Sequence, residues 1–562
     1  MKKRILAILI AAVMLLGLVP VALADDVSTE ETKDIVVLYT NDTHCGVTDG
    51  MGFAGVARVK AALEAAGYPV VLVDNGDAVQ GDVIGTLSKG EAIIELMNTA
   101  GYEFAAIGNH DFDYGMEQFQ KNVGLAKFQY LCCNFLNAEG KPLFDSFAIK
   151  EIAGKKIGFI GIATPQTFKT STPTYFQDEN HKYIYSFCEG NDGQDLYDAV
   201  QKAADDARAA GAEYVIALAH LGNEYEAHPW TSSDVITHTT GIDVVLDGHS
   251  HTVMMGDKVD NANGEKVLLT QTGTKLANLG MLTIGKDGTL KTQLIGDSAL
   301  ALCNMTGLLT ESNGMEEAVT AALAENDALV NEVVAHTDVD LIINDPIAVD
   351  KDGKPIRIVR SQETNLGDLC ADAYRAMGES DVAFVNGGGI RTSIPVGDIT
   401  FGQIIQVHPF GNTMCVVEAT GAEILDALEF SNASLPGEFG GFLQVSGLKF
   451  KIDMNVQPSI EKDEKGMFVA VTGDRRVKDV QVLQADGTYA PIDPEKTYTV
   501  SCHNYLLKNG GDGYTMFQDN VILRDEVMID NQVLINYIVD VLQGTVGAGY
   551  SDPYGEGRIT FQ

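Results

Sequence analysis

Basic residues are scarce in this chain: 39 lysines and arginines stand against 78 aspartates and glutamates, for a net charge of −39. A field of that sign excludes nucleic acid and anionic membrane as partners of the surface at large. An anionic substrate would need a local cluster of arginines and metal ions to overcome it. Cysteine is sparse too, with eight in 562 residues, no Cys-x-x-Cys pair and no regular spacing. That excludes a disulfide scaffold and predicts mostly free, buried thiols. Internal repeats and low-complexity tracts are absent. One long apolar stretch, Ile5–Val19, follows Lys2, Lys3 and Arg4 and leads to Ala22-Leu23-Ala24. It is short for a membrane span and has the order of a secretory signal peptide, residues 1–24, cut after Ala24. No cysteine marks a lipid attachment point there. The residues therefore predict a chain exported to the periplasm or the outside, without a stable membrane anchor.

What is present in quantity is apolar residues, 45% of the chain, over a length that calls for two or three domains. Five short apolar runs share one kind of ending. Ile35–Thr40, Val70–Val73, Phe104–Ile107, Tyr214–Leu218 and Asp243–Leu246 read as strands of a largely buried sheet. They are followed by Asn41-Asp42-Thr43-His44, Gly76-Asp77, Gly108-Asn109-His110-Asp111, Ala219-His220 and Gly248-His249-Ser250-His251. Helical patterns at Gly55–Ala66, Glu91–Ala100, Met116–Ala126 and Leu196–Ala210 separate these runs and another at Lys156–Ile162. Alternation of this kind predicts a layered α/β domain over 33–300, whose functional residues gather at the carboxyl ends of strands.

The donors at those ends are Asp42, His44, Asp77, Asn109, His220, His249 and His251. Seven mixed oxygen and nitrogen ligands are too many for one tetrahedral ion and suit two ions sharing a carboxylate. Asp77, alone after its strand, is the expected bridge. Asp42, His44 and His251 would hold one ion; Asn109, His220 and His249 the other. The set fits Zn, Mn, Fe or Co alike. Such a pair of divalent metals does phosphoryl chemistry, activating water and neutralising phosphate oxygens. His110 need not bind metal. Asp113, three residues on, either orients its imidazole as a catalytic pair or caps the helix near Met116.

A helix is expected over Met315–Val334, joining the halves as a linker (312–336). The second half, 345–562, has its own α/β signals: a helix at Asn365–Ala376 and a strand at Val382–Val385. Arg360 and Arg391 can grip phosphate bidentately. Gly387, Gly388 and Gly389 allow close approach of backbone to a ligand. Phe410 between Pro and Gly offers a face for stacking, and Asp512 in a Gly-rich loop can accept sugar hydroxyls. Arg357 can add a phosphate contact, and Asn386 and Asn412 contacts to base or sugar.

Asp-x-His, Gly-Asp, Gly-Asn-His-Asp-Phe-Asp, a lone His and Gly-His-Ser-His resemble the calcineurin-like metallophosphoesterases. Arg360-Ser-Gln-Glu-Thr-Asn365-Leu-Gly367, Asn386-Gly-Gly-Gly-Ile-Arg391, Pro409-Phe410-Gly411-Asn412 and Gly510-Gly511-Asp512-Gly513 resemble the C-terminal domain of the 5′-nucleotidase family. The resemblance implies a four-layer αββα metallophosphoesterase sandwich, a linker helix and an α/β substrate-binding domain. It implies a secreted phosphohydrolase with two divalent metal ions and a nucleotide substrate. The same scaffold also serves 2′,3′-cyclic nucleotides and UDP-sugars; a non-catalytic nucleotide binder is the remote alternative. In the family, arginines matching these bind phosphate, two aromatics stack the base and the matching Asp binds ribose. The second aromatic falls on Leu506 here. A one-residue insertion would restore it as Tyr505. Family members close their domains by rotation near the linking helix, which would put Met315–Val334 at a hinge.

Overall fold

The computed structural model describes residues 33–178, 180, 182–224, 227–296, 314–325, 327–351, 353–525 and 528–562. The signal-peptide reading of 1–24, the ends of two expected segments at 297–300 and 312–313, and Cys303 lie outside the described residues. Among the described residues, no helix is long and apolar enough to cross a membrane. The seven described cysteines form no disulfide with one another and are buried. The chain divides into two compact units: one runs to Thr167 and resumes over Tyr175–Glu325, and the other comprises Phe168–Thr174 and Asn326–Gln562.

Two six-stranded sheets build the first unit. In one, Ile35–Thr40 lies parallel to Val70–Asp74, which lies parallel to Phe104–Ala105. In the other, Lys155–Ala163, Tyr214–His220 and Val244–Leu246 run parallel in that order. Side chains alternate along each strand. Ile35, Val37 and Tyr39 from one sheet meet Ile216, Leu218, Val244 and Leu246 from the other in one buried cluster. Val215, Ala217 and Ala219 face the opposite way, onto Leu196, Val200, Ala203 and Ala207 of the helix Gln194–Ala209. The expected sandwich is therefore present. Register sets the strand ends level: Thr40 pairs with Asp74, Asp74 with Ala105, and Leu246 with Leu218. The loops carrying the seven donors thus leave from a common edge.

The second unit has its main sheet in the order Leu443–Ser446, Val382–Asn386, Thr497–His503, Met414–Thr420, Ile522–Arg524. Val382–Asn386 is parallel to Thr497–His503. Met414–Thr420 is antiparallel to it, with Met414 opposite His503. The end of the first strand, the end of the second and the start of the third therefore meet at one edge. One expectation needs correction. Met315–Val334 is not a single helix: helices span Met315–Ala324 and Asp327–Val330, and Val333–Thr337 is a strand. That strand pairs with Gly397–Thr400 and Thr545–Val546 inside the second unit. Its β-branched Val333, Val334 and Thr337 suit a sheet, and the partners are distant in sequence.

Candidate active site

Two groups of donors converge at the shared edge of the first unit. Asp42, His44 and His251 offer ligand atoms within 4.8 Å of one another, and so do Asp77, His220 and His249. The first group is the one expected from the sequence; the expected second group had Asn109 beside His220 and His249, with Asp77 between the two groups. The Asp77 carboxylate lies between them: Oδ2 is 3.0 Å from His220 Nε2 and 3.9 Å from His44 Nε2. Asn109 Oδ1 sits 3.2 Å from His220 Nε2, on the second group's side.

Backbone geometry makes this convergence possible. The loop after Thr40 stays zipped to the loop after Asp74, with Asp42 N donating to Gly76 O and His44 N to Asp77 O, both at 3.0 Å. Asp42, His44, Asp77, His249 and His251 all hold positive φ, between 43° and 76°. A left-handed conformation costs a non-glycine residue about 1–2 kcal/mol, and such strain clusters at functional sites. Glycines give the room. A Cβ on Gly108 would lie 2.1 Å from Asp77 Oδ1, and one on Gly248 would lie 2.8 Å from His220 Nδ1.

Hydrogen bonds away from the centre decide which ring nitrogens face it. His44 Nδ1 donates to Gln80 O at 2.9 Å and His220 Nδ1 to Asn75 O at 2.7 Å. A backbone carbonyl can only accept, so in the neutral rings each Nε2 is a lone pair. His249 Nε2 meets Gln166 Oε1 at 2.8 Å, which leaves Nδ1 for a ligand. Asp42 is steadied by Asn41 Nδ2 and by His249 N, at 2.6 and 3.0 Å from Oδ2. The His44 Nε2 lone pair lies 3.0 Å from His251 Nε2, and His220 Nε2 faces Asp77 Oδ2 at 3.0 Å. A neutral His220 would set its lone pair against a carboxylate oxygen in a buried place, so positive charge, a proton or a cation, must lie between them. The titration directions agree. Burial pushes the Asp42 carboxyl up to about 7. Burial also disfavours charge on His220, yet Asp77 and Asp42 drive its imidazole up to about 10. The donor set fits divalent cations.

His110 sits beside this group, its ring 5.5 Å from that of His44. Its Nδ1 bonds Asp113 Oδ2 at 2.6 Å, and its backbone N donates to Asp77 Oδ1 at 2.8 Å. The helix Met116–Leu125 has Gly115 at its N-cap with no side-chain cap, so the Asp113 carboxylate serves His110 instead. Sequence reading missed Gln166, whose partner His249 is 83 residues away; nothing local marks it.

In the second unit, Asn386, Phe410, Asn412, Tyr505 and Asp512 flank the sheet edge where Val382–Asn386 and Thr497–His503 end and Met414 begins. Arg391 places its guanidinium 5.5 Å from the centre of the Phe410 ring. Arg360 is buried at Nε with no hydrogen-bond partner. Burial, Arg357 and Arg391 all hold its pKa well below the usual arginine range, against the pull of Glu438 and Asp512. A crowded cationic group with an unused buried donor is a site for an anion. Arg357 is not idle: its Nε donates to Glu438 Oε2 at 2.8 Å. Leu506 is buried in the core and unavailable to a ligand. Tyr505 is half-buried, and its hydroxyl donates to Asp512 Oδ1 at 3.0 Å. Asn386 and Gly389 meet in the same place, since a Cβ on Gly389 would lie 2.6 Å from Asn386 Oδ1.

Residues 35–253 match the family described as calcineurin-like phosphoesterase, and residues 333–519 the family described as 5′-nucleotidase, C-terminal domain. The 5′-nucleotidase of Vibrio cholerae is 26% identical over 553 residues, covering 91% of each chain. The trifunctional nucleotide phosphoesterase protein of Bacillus subtilis is 26% identical over 545 residues, 88% of this chain and 33% of that longer protein. Among solved structures, a 5′-nucleotidase precursor from Thermus thermophilus is 28% identical, with a TM-score of 0.74 over 94% of this chain and 99% of that one.

Gly108→Ala should disable the centre while leaving the sheets intact. The added methyl overlaps Asp77 Oδ1 and also falls 2.4 Å from Asp77 N, so the carboxylate must move. Elemental analysis of purified protein should show bound divalent metal falling by half or more, with unchanged far-ultraviolet circular dichroism. Full metal content in this variant would contradict the packing described.

Proposed function

From a chain that belongs to the calcineurin-like phosphoesterases carrying a 5′-nucleotidase C-terminal domain, and is a phosphoester hydrolase of that class, we propose a specific reaction. It removes the 5′-phosphate of a nucleotide to give nucleoside and inorganic phosphate, at a centre of two divalent cations bridged by Asp77. The observation that carries this reading is the single Asp77 carboxylate shared by two separate ligand groups, 3.0 Å from His220 Nε2 and 3.9 Å from His44 Nε2.

Asp42, His44 and His251 would hold one cation, and Asn109, His220 and His249 the other. Bound there, two divalent ions would supply Lewis acidity and water activation for displacement at phosphorus. The chain's own groups do the rest. Asp113 fixes His110 by its Nδ1, so Nε2 is the atom left to hold a proton towards a phosphate or leaving oxygen. Arg360 and Arg391 bind phosphate oxygens, with Arg357 joining them at the expense of its pair with Glu438. Phe410 stacks the base, Tyr505 forms the facing wall, and Asn412 contacts the base. Asp512 accepts the ribose hydroxyls. Export from the cytoplasm belongs to the same reading and rests on the basic and apolar order of residues 2–19.

Two substitutions separate the roles. Asp77→Ala should lower phosphate release from AMP by several orders of magnitude and take bound metal down with it. His110→Asn should keep its metal and lose roughly 10²- to 10⁴-fold in kcat, the range of a positioned acid–base group. An Asp77→Ala protein with full metal and near-normal turnover overturns the bridge. A His110→Asn protein stripped of metal makes His110 a ligand instead.

A further inference from the structure

Asp512 can be read further, because a carboxylate accepts hydrogen bonds and donates none. Its Oδ2 lies 2.5 Å from Asn386 Nδ2. The amide nitrogen must therefore face Asp512, which turns Asn386 Oδ1 the other way. That oxygen lies 2.9 Å from His503 Nε2. Nε2 must then carry a proton and donate it. The remaining ring nitrogen, Nδ1, accepts from Leu506 N at 3.3 Å. Every direction in the chain Leu506, His503, Asn386, Asp512 follows from its terminal carboxylate. It has no alternative arrangement: a proton on Nδ1 would oppose the Leu506 N–H, and a flipped amide would set oxygen against oxygen.

All three side chains are buried, so the network is not traded for water. The other carboxylate oxygen of Asp512 takes the Tyr505 hydroxyl, and that hydroxyl accepts from Asp512 N at 3.0 Å. Asp512 itself holds φ 55°. Burial and the neighbouring His408 hold the His503 imidazole down to about 3, so it is neutral at ordinary pH. Each Asp512 oxygen thus has a fixed partner, Asn386 Nδ2 on Oδ2 and the Tyr505 hydroxyl on Oδ1.

We infer that His503 is a positioning residue of the nucleoside site: through Asn386 it locks the Asp512 carboxylate in the rotamer that receives the 2′- and 3′-hydroxyls of a ribose. Asn386 is then a relay with both ends of its amide engaged, not a direct contact to the base. The inference rests on the second unit binding the nucleoside, as proposed above. It assigns the protein's preference for ribose over sugars lacking both hydroxyls to a histidine that touches no substrate.

The test compares AMP with 2′,3′-dideoxy-AMP in the full metal-loaded chain. The wild-type protein should favour AMP in kcat/KM, by roughly 10- to 100-fold for lost hydrogen bonds to a charged group. His503→Phe keeps a flat ring but removes the donor and the acceptor. It should bring that ratio close to one, chiefly through KM for AMP. His503→Gln, whose amide can place an N–H near the position of Nε2, should restore most of the preference. A ratio unchanged in His503→Phe overturns the inference, and so does a wild-type ratio of one. If p-nitrophenyl phosphate turnover falls as far as AMP turnover in His503→Phe and is not recovered in His503→Gln, the histidine supports the fold and the inference fails. A wild-type protein that releases no phosphate from AMP removes the nucleotidase reading itself, and the inference with it; AMP turnover with an unchanged ratio removes the inference alone.

Discussion

Too many electron pairs point into one buried space, and the first unit is arranged around that fact. His44 and His220 spend their Nδ1 protons on backbone carbonyls, so their Nε2 lone pairs face Asp42, Asp77 and His251. In water such a cluster would disperse. Here the zipped loops after Thr40 and Asp74 hold it, at the cost of five non-glycine residues in left-handed backbone. Cations between the ligands would make the arrangement stable; without them, protons must take their place, in line with the raised pKa of His220 beside Asp77 and Asp42. The sheets, their level register and the glycines at 76, 108 and 248 are the means of assembling it.

The second unit solves a different problem with the same device. A parallel strand and an antiparallel strand both border Thr497–His503, so three loops meet at one edge. Its electrostatics are opposite in sign: Arg357, Arg360 and Arg391 are concentrated there within a chain of net charge −39. Long-range repulsion of an anionic ligand would thereby be met by short-range attraction, with Glu438 tempering Arg357. Asp512 adds directionality, since its two oxygens are fixed by Tyr505 and Asn386.

The candidate metal ligands were legible in the sequence because each belongs to a short local pattern, an apolar run ending in Asp, Asn or His. The sequence grouped Asp42, His44 and His251 on one side and Asn109, His220 and His249 on the other with Asp77 between; the geometry brings the first three together and sets Asp77 with His220 and His249. The positioning shell was not legible. Gln166 holds His249 across 83 residues, and His503 holds Asn386 across 117; no spacing rule encodes such pairs. The reading of Met315–Val334 as one helix failed for a related reason. Ala and Glu favour a helix at its start, but Val333–Thr337 finds strand partners at Gly397–Thr400 and Thr545–Val546 that local propensity does not see. The resemblance to the family put the second aromatic at Leu506 and offered Tyr505 through a one-residue insertion; burial of Leu506 in the core is the physical reason it offers nothing to a ligand.

The central claim is that one carboxylate joins two cation sites. Electron paramagnetic resonance of metal-free protein titrated with Mn²⁺ addresses it directly, because two Mn²⁺ ions sharing a bridging ligand are magnetically coupled and an isolated ion is not. The account predicts saturation at two ions per chain with an exchange-coupled spectrum. Saturation at one ion, or two ions giving only the six-line signal of isolated Mn²⁺, would contradict it.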